Sequence, residues 1–164
     1  MREGNRAIVL DADFLSSFLK IGKLGLIRDF FKVEVLYIPV AVFSEISKTE
    51  FIKELLEEKY IKIERAYEKN FGNFGEDFEN LGSGEKECIA LCRQFKNSLL
   101  LISDKKALGV ARKGGIAVLN IPAFLLACKS TAFLSSDEVV RIIKDLKQRD
   151  FYEFSNEERR RLLS

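Results

Sequence analysis

Four acidic residues in this sequence sit at positions whose neighbours predict burial. Asp11 closes the apolar run Ala7-Ile-Val-Leu10, and Asp104 follows Leu99-Leu-Leu-Ile102 by two residues. In open parallel sheets ligands bind beyond the carboxyl ends of the strands, so two acids at that edge mark a candidate site, although each is equally placed to cap the next helix. Glu85 precedes Cys88, Ile89 and Cys92 by three, four and seven residues, which puts it at the head of the apolar face of a helix expected over 85–96, while Glu87 points elsewhere. Glu45 follows Ala41 and Val42 by four and three residues, on the apolar side of a helix expected over 40–47. An ionised carboxylate on an apolar face needs a cation or a donor, because uncompensated burial costs several kcal/mol. Lysine or arginine partners would answer this one acid at a time. Four acids from separate elements instead favour one hard divalent cation held by oxygen, Mg²⁺ or Mn²⁺.

Composition narrows the chemistry further. The 164 residues contain no histidine, which excludes a Ser-His-Asp triad, a Cys-His pair, a His-Glu-x-x-His zinc site and any imidazole acid-base pair. A divalent ion acidifies bound water and stabilises phosphoryl oxygens without such a base, so phosphodiester hydrolysis becomes the candidate reaction. Cys88, Cys92 and Cys128 are odd in number and read as small buried hydrophobes, since only acids would complete a zinc site. With no apolar leader in the opening residues, a cytoplasmic location is expected. The longest apolar stretch, 116–128, is broken by Asn120 and Pro122 and is too short to span a membrane. Lys and Arg total 27 against 25 Asp and Glu, a formal charge of +2, so any nucleic-acid surface must be a local patch.

The elements that must position the acids alternate. Continuous apolar runs at 7–10 and 99–102 suit strands covered on both faces, and 35–38 and 116–119 supply two shorter strands. Helical patterns lie between them over 14–31 (broken near Gly22), 40–47, 49–59, 85–96, 105–113 and 122–129. This alternation predicts an α/β fold with a parallel sheet. Beyond Cys128 the pattern is purely helical, and Ser135-x-x-Glu138 and Ser155-x-x-Glu158 match the capping box. We expect one domain over 1–164, with an α/β core to about residue 130 and a helical appendage over 131–164. The segment 71–84 holds four glycines in fourteen residues and reads as a long loop; it lacks the phosphate-binding G-x-x-x-x-G-K pattern, because Glu85 follows Gly84.

Lys105, Lys106, Arg112 and Lys113 bring four positive charges within nine residues just after Asp104, a patch suited to the phosphate backbone of a nucleic acid. An ordinary solvated helix face explains them equally well. Arg159-Arg-Arg161 follows Glu157-Glu158, a polarity that complements a helix dipole.

Taken together, Ile8-Val-Leu-Asp11, Tyr37-Ile-Pro-Val-Ala-Val-Phe-Ser-Glu45, Leu81-Gly-Ser-Gly-Glu85-Lys-Glu-Cys-Ile-Ala-Leu91 and Ile102-Ser-Asp104-Lys-Lys-Ala107 resemble the four acidic signatures of PIN-domain ribonucleases. The Gly-Glu variant and the helical tail are similar to a bacterial and archaeal subgroup of predicted nucleic-acid-binding PIN proteins. The resemblance implies a three-layer α/β/α fold with about five parallel strands. It also implies Mg²⁺ or Mn²⁺ held by Asp11, Glu45, Glu85 and Asp104, an RNA substrate, a homodimer, and a toxin role with an antitoxin protein as partner. Three departures stand out. Asp13 occupies a position where Ser or Asn is usual, Ser103 one where a further Asp is common, and Asn120 and Ala123 replace glycines. Asp13 and Ser103 are therefore secondary site candidates.

The leading expectation is a metal-dependent endoribonuclease. One alternative is a catalytically weak RNA-binding or antitoxin-binding module on the same fold. Another is an aspartyl phosphotransfer enzyme, because Asp11-Ala-Asp13 looks like the D-x-D of haloacid-dehalogenase phosphatases, although Leu15 stands where Thr or Val is usual.

Overall fold

The computed structural model describes residues 6–72 and 74–164; the opening residues 1–5 and Asn73, within the segment expected to be a long loop, lie outside it. Five strands form one sheet: β1 (Ala7–Leu10), β2 (Leu36–Pro39), β3 (Ile61–Glu64), β4 (Ser98–Leu101) and β5 (Val118–Leu119). They run parallel in the order β3-β2-β1-β4-β5. Chain order therefore proceeds outward from β1 in one direction and outward from β4 in the other, which makes the seam between β1 and β4 the topological switch point. Register there is continuous from Ala7↔Ser98 to Leu10↔Leu101. Neighbouring side chains of a strand face opposite ways, yet Ile8, Val9 and Leu10 are all fully buried, as are Leu100 and Leu101, so helices cover both faces.

The helices are α1 (Ala12–Lys20), α2 (Leu24–Phe31), α3 (Val40–Ser47), α4 (Ile52–Glu57), α5 (Glu76–Glu79), α6 (Ser83–Gln94), α7 (Lys105–Lys113), α8 (Ile121–Ser130), α9 (Ser136–Asp150) and α10 (Asn156–Leu163). Gly22, at φ 66°, separates α1 from α2 at the expected break. Helix α6 lies over β1, β2 and β4, with the Cys88 thiol 3.6 Å from the Leu10 carbonyl oxygen. All three cysteines are free and buried. An aromatic group centred on Phe124, with Phe14, Phe18, Phe30 and Phe31 around it, joins α1, α2 and α8 at centroid distances from 5.5 to 6.1 Å.

Strand β3 has no counterpart among the strands expected from the apolar runs. Ile61-Lys-Ile-Glu64 is a sheet edge, half exposed, so its sequence carries only two apolar residues, and pairing with β2 completes it. The helix expected over 49–59 shortens to α4. The segment 71–84 is also more structured than a long loop: it contains α5 and opens α6, and Phe78 is buried, stacked against Phe74 at 4.8 Å. Four glycines hid that anchor.

The tail packs into the same core. Val139, Leu146 and Leu162 are essentially fully buried, and the two capping boxes form as expected, with Ser135 paired to Glu138 and Ser155 to Glu158. Lys129 Nζ donates to the Leu162 carbonyl at 2.8 Å, and Lys20 pairs with Asp150 at 2.9 Å, tying α8 to α10 and α1 to α9.

Candidate active site

Asp11 leaves β1 with its amide still bonded to the Leu101 carbonyl at 3.0 Å, so sheet geometry places it at the switch point. Its Oδ1 accepts a 2.8 Å bond from Phe14 N, and the Ser103 amide stands 3.5 Å from Oδ2. Capping and cleft-lining are thus both served by one carboxylate. Asp104 repeats the arrangement on α7, its Oδ1 accepting from Ala107 N at 2.8 Å.

Glu85 comes from the first turn of α6. Its Oε1 turns back to accept from Gly82 N at 3.2 Å, while Oε2 is buried with no hydrogen-bond partner among the described residues. Glu45 comes from the last turn of α3. Its expected burial fails: Val42 and Ile46 take the inward positions, and Glu45 is exposed on the cleft rim. Gly84 lies directly opposite, where an added Cβ would stand 3.7 Å from Glu45 Oε1.

These residues meet. A polar cleft of about 160 Å³ is lined by Asp11, Asp13, Glu45, Glu85 and Asp104 together with Ala12, Gly82 and Gly84. Ser103 lies outside that lining and, with Asp13, borders an adjoining cleft. Among the described residues the ion pairs are Lys20–Asp150, Lys62–Glu64, Lys86–Glu79 and Arg161–Glu157, so none of the five acids has a lysine or arginine partner. The electrostatic consequence is direct. Burial raises the Asp11 pKa to about 7 against the lowering effect of its Phe14 bond, and the negative charges of Asp13 and Glu85 add to the rise. Burial likewise pushes Glu85 up, opposed by the Gly82 bond and assisted by Asp104, Asp13 and Glu45.

Whether a divalent cation suits this cleft divides into chemistry and distance. The donor set is all carboxylate oxygen, one oxygen is an orphan, and the excess negative charge has no counter-charge among the described residues; on these grounds a hard cation fits. Yet among the described residues no group of three or more acidic or cysteine side chains is arranged to hold a metal ion in this conformation. Side-chain rotation would have to gather the ligands.

Two supporting residues escaped the sequence reading. Gly82 supplies the amide that orients Glu85. Glu87 Oε1 accepts from Ala41 N at 3.3 Å, satisfying an amide in the first turn of α3 and joining the helices that carry Glu45 and Glu85. A carboxylate capping a helix far away in sequence leaves no spacing signal.

The basic residues divide. Lys105, Lys106, Arg112 and Lys113 are all exposed, but only Lys105 and Lys106 are in the first turn of α7, beside Asp104. Arg112 and Lys113 lie about 10 Å further along the axis and complement the helix dipole. Lysines in a first turn oppose that dipole, so Lys105 and Lys106 are placed for something other than helix stability.

A doubly wound parallel sheet with an acid-lined crevice at its switch point defines the class. The chain belongs to the PIN-domain family: the family model described as DUF3368, PIN domain, matches residues 7–164. The structure of the PIN domain endonuclease Utp24 is similar at TM-score 0.52 and 16% identity, with 70% of this chain and 84% of that chain covered, a likeness of fold. No curated protein matches the sequence. Among the described residues no helix is long and apolar enough to cross a membrane.

Proposed function

We propose that the protein is a metal-dependent endoribonuclease. The observation that carries the reading is the meeting of Asp11, Glu45, Glu85 and Asp104, from four separate elements, in one cleft with no cationic partner among the described residues. Membership of the PIN-domain family supports a nuclease. These four acids would hold Mg²⁺ or Mn²⁺, with Asp13 as a fifth carboxylate at the rim. When bound, the ion would supply a water nucleophile at neutral pH and neutralise charge on the phosphate.

The chain's own residues prepare the site. The two cap bonds fix the Asp11 and Asp104 carboxylates on rigid helix starts, and the Gly82 amide fixes one oxygen of Glu85. Lys105 and Lys106 would hold the RNA backbone without reading sequence. On the Gly82-Ser-Gly84-Glu85 run and the packed helical tail we assign the chain to the Gly-Glu subgroup, and on that resemblance to the toxin side of a toxin–antitoxin pair.

The test is Mn²⁺-dependent cleavage of single-stranded RNA by the wild-type protein, abolished by EDTA and by Asp11→Asn. One observation favours the second reading, a module that binds RNA or an antitoxin and cleaves weakly: the acids are not drawn together for ligation in this conformation. Metal-independent RNA binding without cleavage would establish it.

A further inference from the structure

A second cleft adjoins the acids. It measures about 320 Å³ and is lined by Asp13, Ser16, Lys20, Ser103, Phe151 and Tyr152, among others, so Asp13 borders both clefts. Phe151 is its most conspicuous residue. The ring is 84% exposed, and the backbone is left-handed at φ 53°, ψ 28°, directly after the last residue of α9. Glycine is the usual occupant of that position, where Tyr152 N closes the helix end on the Leu146 carbonyl at 3.1 Å. Neither packing nor backbone preference accounts for a phenylalanine there.

Its presentation is also fixed. Asp150, the preceding residue, accepts from Lys20 Nζ at 2.9 Å and from Ser17 Oγ at 2.5 Å, and the same Ser17 hydroxyl is 2.9 Å from the Asp13 carbonyl oxygen. The base of Phe151 is thereby bolted to the helix whose first turn carries Asp13. A separate observation points to a ligand: Ser103 lines this cleft, and its buried hydroxyl has no hydrogen-bond partner among the described residues. The polar edge of a ligand entering the cleft would satisfy it.

We propose that this cleft is a nucleobase subsite, in which the Phe151 ring stacks on an unpaired base of single-stranded RNA and the polar base edge lies toward Ser103. The proposal rests on the nuclease reading for placing the adjacent phosphate over the acids. An exposed aromatic ring takes any base by its face, so the subsite confers a requirement for unpaired RNA rather than a sequence. Asp13 then stands between the base and the reaction centre, and Lys105 and Lys106 serve the backbone beyond it.

The experiment measures binding, in EDTA, of single-stranded oligoribonucleotides carrying 2-aminopurine, and cleavage separately with Mn²⁺. Phe151→Ala should weaken binding about tenfold and abolish 2-aminopurine quenching, with the salt dependence unchanged, since no phosphate contact is lost. Phe151→Trp should restore both and Phe151→Leu neither. The exposed ring makes all three variants safe for folding. Wild-type affinity in Phe151→Ala and Phe151→Leu overturns the subsite, and Mn²⁺-dependent cleavage in the same proteins would leave the nuclease reading standing. Binding that needs Phe151 without any cleavage supports the subsite and overturns the nuclease reading. Absence of RNA binding overturns both. Loss of self-association in Phe151→Ala with RNA binding intact assigns the ring to a contact between copies and also overturns the subsite.

Discussion

Asp11 and Asp104 cap their helices in the same way, each accepting a 2.8 Å bond from the amide three residues on, yet Asp11 is 3% exposed and Asp104 stands on the open rim. The pair flanks the switch point from the adjacent strands β1 and β4. One shared local motif therefore yields a buried carboxyl and a solvated one, and the difference is set by what covers the strand ends.

The buried member makes stability depend on pH. Its folded pKa of about 7 lies above the unfolded value near 4, so its contribution is fully present below about pH 4 and is lost as pH rises through 7. Asp11→Asn removes that titration while its amide oxygen keeps the Phe14 cap. Urea unfolding of the metal-free proteins should show the variant gaining on wild type between pH 5 and 8, by on the order of 2 to 4 kcal/mol at the upper end. A difference that stays constant across this range would contradict the assignment.

Metal addition should work in the opposite direction on the same group. Mn²⁺ at 100 times Kd should stabilise the wild type by about 2.7 kcal/mol, a rise in Tm of roughly 5 to 10 °C. Asp11→Asn and Glu85→Gln should each reduce the shift. Equal shifts in thermal scans of all three proteins would remove both residues from the ligand set.

Replacing Lys105 and Lys106 with alanine should lower the slope of log K against log salt by roughly 1 to 2 units and weaken binding alike for all RNA sequences. The Arg112→Ala, Lys113→Ala double variant should leave the slope near that of wild type. A slope lost only in the second variant would move the RNA path to the other end of α7.

Glu87 supports the site without lining the acidic cleft. Glu87→Ala strands the Ala41 amide at the start of α3 and should cost about 1 kcal/mol by chemical denaturation. Because α3 carries Glu45, the variant should also bind Mn²⁺ more weakly in calorimetry, whereas Glu87→Gln, which retains an acceptor, should recover most of both losses.

Phe151→Gly should stabilise the protein by about 1 kcal/mol, because glycine adopts the left-handed conformation freely and an exposed ring contributes little packing. Thermal scans would show this as a rise of about 2 to 4 °C. A fall instead would mean that the ring packs more than its exposure suggests.

Much of this architecture was legible along the chain, for identifiable reasons. Strand β1 and the Leu99–Leu101 stretch of β4 are buried on both faces and so are continuously apolar, a pattern visible without any partner strand. Helices α3 and α7 span the expected 40–47 and 105–113, the first held between Pro39 and Lys48 and the second between the Asp104 cap and Gly114. Both capping boxes could be read because their partners are three residues apart. Asp11 and Asp104 were visible as site candidates on the same ground, as acids that interrupt runs the core would otherwise continue.

What tertiary structure alone decided involves groups far apart in sequence or exposed on one side. Strand β3 exists because β2 offers it an edge. Phe78 became an anchor inside a glycine-rich segment because it found Phe74 and the core. Glu45 turned outward to the cleft rim because Val42 and Ile46 claimed the inward positions, a choice the spacing of Ala41 and Val42 could not make. Glu87 became a cap for α3 across 46 residues, and Phe151 was brought beside Asp13 by a bond between Asp150 and Ser17 that spans 133. Sequence periodicity records which side of an element is apolar; which element that side meets, and what charge it encounters there, is determined only when the sheet order brings the ends of β1 and β4 together.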